Sequence, residues 1–344
     1  MEGMNVHGGP DAQGVPLHDF STNASACGPC PPVLEALRAA DPTRYPDPRY
    51  MALREQLAAF HGVDRERIVV AASASEFIAR ITAAAAAGEG GGTAVVPALA
   101  YGDYARAARA HELNVQVASA TDPLAPAACL AWGCEPSTPL GQDDPELAAR
   151  VDAWSADRPF VLDRAYAPLC LDGPAACSLG PGRLARVWQL HSPNKALGLT
   201  GVRGAYAIAP SGAAPALLAR LGALAPSWPL GAHAVAMLQA WTEAPAQDWL
   251  SGSLPVLSTW KRRQQALCAA LGWEPIPSVA NFFCARWPAG VPLQAGLEGL
   301  RAHGIKLRDC ASFGLPACVR VGVLPPASQD ALATAWSTLR GRWM

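Results

Sequence analysis

The chain has 344 residues, 51% of them hydrophobic and 16% charged, with 27 basic side chains against 28 acidic ones. That length calls for two packed domains with sizeable cores, and that composition excludes a disordered or fibrous chain. A net charge of −1 gives no electrostatic case for nucleic acid or an anionic membrane as a partner.

Residues 1–30 read as an extended arm rich in Gly, Pro, Ser and Asn, without the basic start or apolar run of a secretory signal. The protein is therefore expected in the cytoplasm, with its ten cysteines reduced. No apolar run is long enough to span a bilayer. Helical spacing marks residues 31–40 (Val33, Leu34, Leu37) and 51–61 (Leu53, Leu57, Phe60), with a Tyr45-Pro46-Asp47-Pro48 loop between them. A strand at 67–71 leads into a helix through Phe77, Ile78 and Ile81. Short apolar strands follow at 94–97, 115–118, 128–132, 160–163 and 187–191, with helices at 104–111 and 145–156. Buried strands alternating with helices predict an α/β fold with a mainly parallel sheet covered on both faces.

Past residue 212 the pattern changes to long helices at 214–223, 232–244 and 257–271, the middle one stopping before Pro245. Strands at 281–286 and 318–322 then suggest a smaller α+β domain. The expected division is an arm at 1–40 belonging to the small domain, a large domain at 41–224, and a small domain at 225–344.

Only three lysines (Lys195, Lys261 and Lys306) stand among 24 arginines. Imine formation needs a primary amine that can lose its proton, which a guanidinium cannot supply. Lys195 follows an apolar strand and sits on a turn of small residues, with Ser192 three residues before it and Arg203 eight after. A hydroxyl and a guanidinium so placed can reach one phosphate. Lys261 reads as part of a solvated helix face, and Lys306 as a strand residue with its head in water.

Residues 192–204 resemble the cofactor-lysine signature of the class I and II aminotransferase superfamily, and most closely two of its groups. These are the histidinol-phosphate aminotransferases and the threonine-phosphate decarboxylases of cobalamin biosynthesis. The resemblance implies the fold of pyridoxal phosphate (PLP)-dependent transferases, with PLP carried by Lys195 and its phosphate held by Ser192 and Arg203. It implies that Asp163, closing the strand at 160–163, faces the pyridine nitrogen and that Tyr166 bonds the phenolic oxygen. Ser73, Ala74 and Ser75, at a helix start, would hold phosphate, and Tyr101 would stack on the ring. Tyr45 matches a tyrosine that reaches the phosphate of a neighbouring subunit, which implies a homodimer. Thr138 stands where the family has a cofactor-binding asparagine, and Ser25 where it has an arm asparagine, here read as a substrate contact. Arg320 would bind the substrate carboxylate, and His7 and Gly8 a substrate phosphate.

The early His7-Gly8-Gly9 and the run Arg308-Asp309-Cys310 favour a threonine-phosphate decarboxylase-like lyase acting on a small amino acid, possibly a phosphorylated one. The alternative is a transaminase of the histidinol-phosphate type. A rival from another class is a non-catalytic binding protein on the same fold. Cys27-Gly28-Pro29-Cys30 has the spacing of a redox tetrapeptide, yet it lacks a preceding buried strand and a second cysteine pair for zinc. No redox or metal role is assigned to it.

Overall fold

A computed structural model describes residues 8–86, 91–118, 125–171 and 178–341. The short apolar runs form a seven-stranded sheet, in the order Ile68–Ala71, Ala205–Ile208, Trp188–His191, Phe160–Asp163, Ala128–Cys134, Thr93–Val96, Asn114–Val117. Neighbours are parallel except at Ala205–Ile208, which runs antiparallel to both of its partners. Several strands read as unbroken apolar runs because both faces of the sheet are covered. Along Ala205–Ile208, Tyr206 and Ile208 enter one core layer while Ala205 and Ala207 enter the other. Helices Pro31–Ala39, Met51–His61 and Ala232–Trp241 close the first layer. Helix Ala74–Ala86, packed on Gly102–Ala110 and Pro215–Ala223, closes the second.

The C-terminal strands form a separate antiparallel sheet in the order Arg308–Asp309, Cys318–Gly322, Phe282–Arg286, Glu274–Pro275. Trp273, Trp287 and Trp336 meet in its core with ring centroids 4.8–5.2 Å apart. From the arm, His18–Asp19 pairs in parallel with Ile305–Lys306 and carries Phe20 into the same core. Among the described residues, no helix is long and apolar enough to cross a membrane.

Four expectations are corrected. Ala205–Ile208 is a strand that the sequence reading passed over, because four apolar residues show no period of their own. The helix expected at 257–271 is Ala244–Ala270, which begins around Pro245 and runs straight through Pro255. Lys261 is not solvated: it is buried and its ammonium donates to the Ser278 carbonyl. Nor does Lys306 point into water, since its Nζ donates to the Gly9 carbonyl at 2.6 Å.

A cluster of rings lies under the sheet beside the strand Trp188–His191. His61 Nε2 and the Tyr206 hydroxyl are 2.7 Å apart, and His191 stacks on the Tyr206 ring at 5.0 Å. Burial, assisted by the charge of Arg164, holds the His61 pKa down to about 4 from an ordinary 6.5. Burial first, then the charges of His61 and Arg164, holds His191 well below the same reference. Both imidazoles are neutral in the folded chain and gain protons more readily when it unfolds. The contribution of His61 is complete above pH 6.5 and is lost as pH falls from 6.5 through about 4, and His191 shifts stability in the same direction. The thermal midpoint should drop across that window, and His61→Gln should make the drop shallower. A wild-type midpoint that stays level through the window would contradict this account.

Candidate active site

In the parallel part of the sheet, the C-terminal strand ends open onto one cavity of about 380 Å³, the usual position for a ligand in an open α/β sheet. Lys195 reaches it from the turn after Trp188–His191. That turn is tied internally: Ser192 Oγ donates to Asn194 Oδ1 at 2.9 Å, and the Leu199 N–H donates to the Asn194 carbonyl at 2.8 Å. The arm ties it from outside, through Ser25 N–H to the Lys195 carbonyl at 2.8 Å and Cys30 N–H to the Leu197 carbonyl at 2.9 Å. Gly28 makes this approach possible, because a methyl group there would sit 2.9 Å from both Gly198 Cα and the Leu197 carbonyl oxygen. The Cys-Gly-Pro-Cys segment is thus a brace under the lysine turn. Burial raises the pKa of both its thiols, opposite to what a redox thiolate needs.

Asp163 closes the strand Phe160–Asp163 and is almost fully buried. The Tyr104 hydroxyl donates to its Oδ2 at 2.7 Å, and the Ala165 N–H to its Oδ1 at 2.9 Å. Burial pushes its pKa up, while those two donors and the charge of Lys195 pull it down. The Lys195 ammonium stands 5.3 Å from the centre of the Tyr166 ring, and Asn23 Nδ2 donates to the Tyr166 hydroxyl at 3.3 Å. Tyr101 sits immediately before helix Gly102–Ala110 and reaches Ser75, their hydroxyl oxygens 3.4 Å apart.

Ser73, Ala74, Ser75, Ser192 and Arg203 all line this cavity. Ser73 Oγ accepts from the Glu76 N–H at 3.1 Å, so that hydroxyl caps the helix Ala74–Ala86. The first-turn N–H groups of such a helix have no intrahelical partner and favour an anion. Arg203 is exposed and, among the described residues, has no hydrogen-bond or ion-pair partner. A free guanidinium, a helix start, a buried carboxylate and a lysine that line one cavity fit PLP. Its phosphate would meet Arg203 and the helix, its ring nitrogen Asp163, and its aldehyde carbon Lys195.

Thr138, Arg320 and Gly8 also line the cavity. One expected contact does not. Ser25 is buried away from it and acts through its backbone, while its arm neighbours Ser21, Thr22 and Asn23 reach the cavity. Tyr45 is 78% exposed and stacks on Trp228, outside its own chain's cavity. His7 lies outside the described residues. Arg308, with no site role assigned from sequence, is buried and lines the cavity as well. Its register partner across the sheet is Arg320, a pairing that only the strand order reveals. Arg308 donates to the Asp309 carbonyl at 2.6 Å and to Ser312 Oγ at 2.7 Å, and Arg320 to the Ser21 carbonyl at 3.3 Å. Among the described residues, neither arginine pairs with a carboxylate.

A sequence model described as aminotransferase class I and II matches residues 16–128 and 133–337. The chain belongs to that family. It is 30% identical to the histidinol-phosphate aminotransferase of Rhodospirillum centenum, covering 96% of this chain and 94% of that one. The histidinol-phosphate aminotransferase of Sinorhizobium meliloti, solved with pyridoxal-5'-phosphate, superposes with a TM-score of 0.75 at 24% identity, covering 92% of this chain and 90% of that one. The L-threonine-O-3-phosphate decarboxylase of Porphyromonas gingivalis superposes with a TM-score of 0.73 at 23% identity, covering 93% and 97%. At such identities these two likenesses show the fold alone. The chain is a PLP-dependent enzyme of the aminotransferase fold. Its relatives by sequence favour the transaminase alternative over the decarboxylase reading.

Tyr104 meets the Tyr101 ring edge-on and donates its hydroxyl to the buried Asp163. Tyr104→Phe should remove about 1.5–3 kcal/mol from a hydrogen bond to a charged group. The expected result is weaker PLP retention, read as loss of bound cofactor absorbance on dialysis. Retention equal to wild type would show that Asp163 does not need this donor.

Proposed function

We propose that this chain is an aminotransferase of the histidinol-phosphate type, moving an amino group between a small phosphorylated amine and a 2-oxo acid. The observation that carries the reading is the buried pair Arg308 and Arg320, two guanidinium groups on one cavity wall without an acidic partner among the described residues. Two such donors suit a phosphate tail in one half of the cycle and a carboxylate in the other. The sequence relatives support transfer over loss of CO₂.

PLP, when bound, supplies an electron sink that stabilises negative charge at the substrate Cα. The protein supplies the rest. Arg308 and Arg320 fix the anionic end, so that the Cα proton faces Lys195. Lys195 Nζ then takes and returns that proton. Asp163, with its two donors, keeps a negative charge at the floor, and Tyr166 sets its ring beside the lysine. Orientation at Cα decides which bond breaks, so the arginines are specificity residues as much as anchors.

Given L-histidinol phosphate and 2-oxoglutarate, the holoenzyme should form glutamate. Arg320→Met should raise KM for the phosphorylated donor by roughly 10²-fold, and Lys195→Ala should lose the borohydride-fixed PLP label. Release of CO₂ from O-phospho-L-threonine without amino transfer would overturn the transaminase reading.

The proposed assembly is a homodimer. Tyr45 and Trp228 stack at 4.4 Å while 78% and 41% exposed, and Leu224 is also exposed at 46%. Such a surface is costly to leave wet and suits the symmetric contact of a second copy, which Tyr45 would enter toward the partner's phosphate. Sedimentation should give twice the 35.8 kDa chain mass, and Trp228→Glu should shift it toward the single chain. A wild-type protein that sediments as the single chain at micromolar concentration would rule the dimer out.

A further inference from the structure

Of the three lysines, Lys195 belongs to the cavity and Lys261 ties down the Ser278 carbonyl. Neither role accounts for Lys306. Its strand Ile305–Lys306 pairs with His18–Asp19, and only 14% of its side chain is exposed. The ammonium donates to the Gly9 carbonyl at 2.6 Å and lies 3.0 Å from Asp11 Oδ2. Asp11 also accepts from Arg301, through Nε at 3.0 Å and Nη2 at 2.8 Å. Asp11 and Gly14 exchange both backbone hydrogen bonds, at 3.2 and 2.9 Å, so the turn is closed on itself.

The strap held in this way forms part of the cavity wall. The Gly9 N–H donates to Ser21 Oγ at 2.9 Å. A methyl group on Gly8 would lie 2.2 Å from the Ser21 carbonyl oxygen, so the two backbones are in direct contact. Arg320 Nη2 donates to that same carbonyl, and Gly8 and Arg320 line one cavity. A chain of bonded groups therefore leads from Lys306 through Gly9 and Ser21 to Arg320. Lys306 itself does not line the cavity.

We infer that Lys306 is a positioning residue that, with Asp11, latches the strap of residues 8–14 against Ser21 and so sets the wall meeting the substrate's anionic end. The inference rests on the cavity being the amine-binding site proposed above. Lysine suits the task because a flexible stem with three donors can serve a carbonyl and a carboxylate lying in different directions. Arg301 and Lys306 together hold the Asp11 carboxyl far below the usual carboxylate range, which keeps the latch charged. The latch governs how well the substrate end is held. The proton at Cα is Lys195's affair, so affinity and turnover separate.

The test uses full-length holoenzyme with Lys306→Met, Asp11→Ala and the double variant. KM and kcat are measured with L-histidinol phosphate, and amide exchange is followed at Gly9, Asp11 and Gly14. Each single variant should raise KM roughly tenfold, with kcat within about twofold. All three amides should exchange faster, and the double variant should be no worse than either single one. Should Lys306→Met fail to fold, Asp11→Ala breaks the same contact from the other side. Unchanged exchange overturns the latch whatever the activity, and a loss confined to kcat overturns the positioning role. If no amino transfer occurs at all, the functional reading fails separately, and exchange together with binding of inorganic phosphate still decides the latch.

Discussion

A carboxylate buried at the end of a central strand has to be compensated inside the fold, and much of this site's architecture answers that demand. Asp163 is paired in register with Cys134 of the neighbouring strand and lies one strand away from the lysine turn. Its donors come from elsewhere in the sequence: a backbone N–H two residues on, and a tyrosine hydroxyl from helix Gly102–Ala110. Tyr104 can serve because its ring is clamped flat on Trp132, with centroids 4.4 Å apart and planes 8° apart. An unpaired charge at that depth would cost several kcal/mol, so sheet order, helix placement and aromatic packing are all bound to one carboxylate. The same burial that makes Asp163 expensive makes it strong toward a cationic ring nitrogen.

The small sheet shows the opposite imbalance. Arg308 and Arg320 are register partners on neighbouring strands, an arrangement of like charges that weakens a sheet. Part of that cost is offset by aromatic faces: Arg308 lies 4.8 Å from the Phe313 centroid, and Arg320 lies 5.5 Å from both Phe282 and Phe313. The remaining imbalance suits a site that an anion completes. A fold optimised only for stability would have placed an acid there.

Much of this was legible in the residues, for physical reasons. Fully buried strands announce themselves as short apolar runs, which is why Phe160–Asp163 and Trp188–His191 were found nearly to the residue. The scarcity of lysine singled out Lys195 before any fold was in hand. Other features were hidden for equally plain reasons. Pro255 and Gly252 disguised the middle of helix Ala244–Ala270, although tertiary packing holds it together. Lys261 looked solvated because a charge run on a helix is usually a surface, yet its neighbours Arg262 and Arg263 take that surface and leave it the core side. The roles of Tyr104, Arg308 and Asn23 depend on which strand lies beside which, and no local pattern encodes that.

The antiparallel strand Ala205–Ile208 has one more implication. A parallel successor to Trp188–His191 would have required a crossover that began again at the far edge of the sheet. Because the chain instead turns straight back, His191 lies opposite Tyr206, and both ends of the intervening turn stay at the ligand edge. Lys195 and Arg203 therefore ride on a single hairpin, like two jaws on one short arm. Their separation is set by the turn's own hydrogen bonds and by the arm braced against it, so a change of length between the two residues would move one against the other.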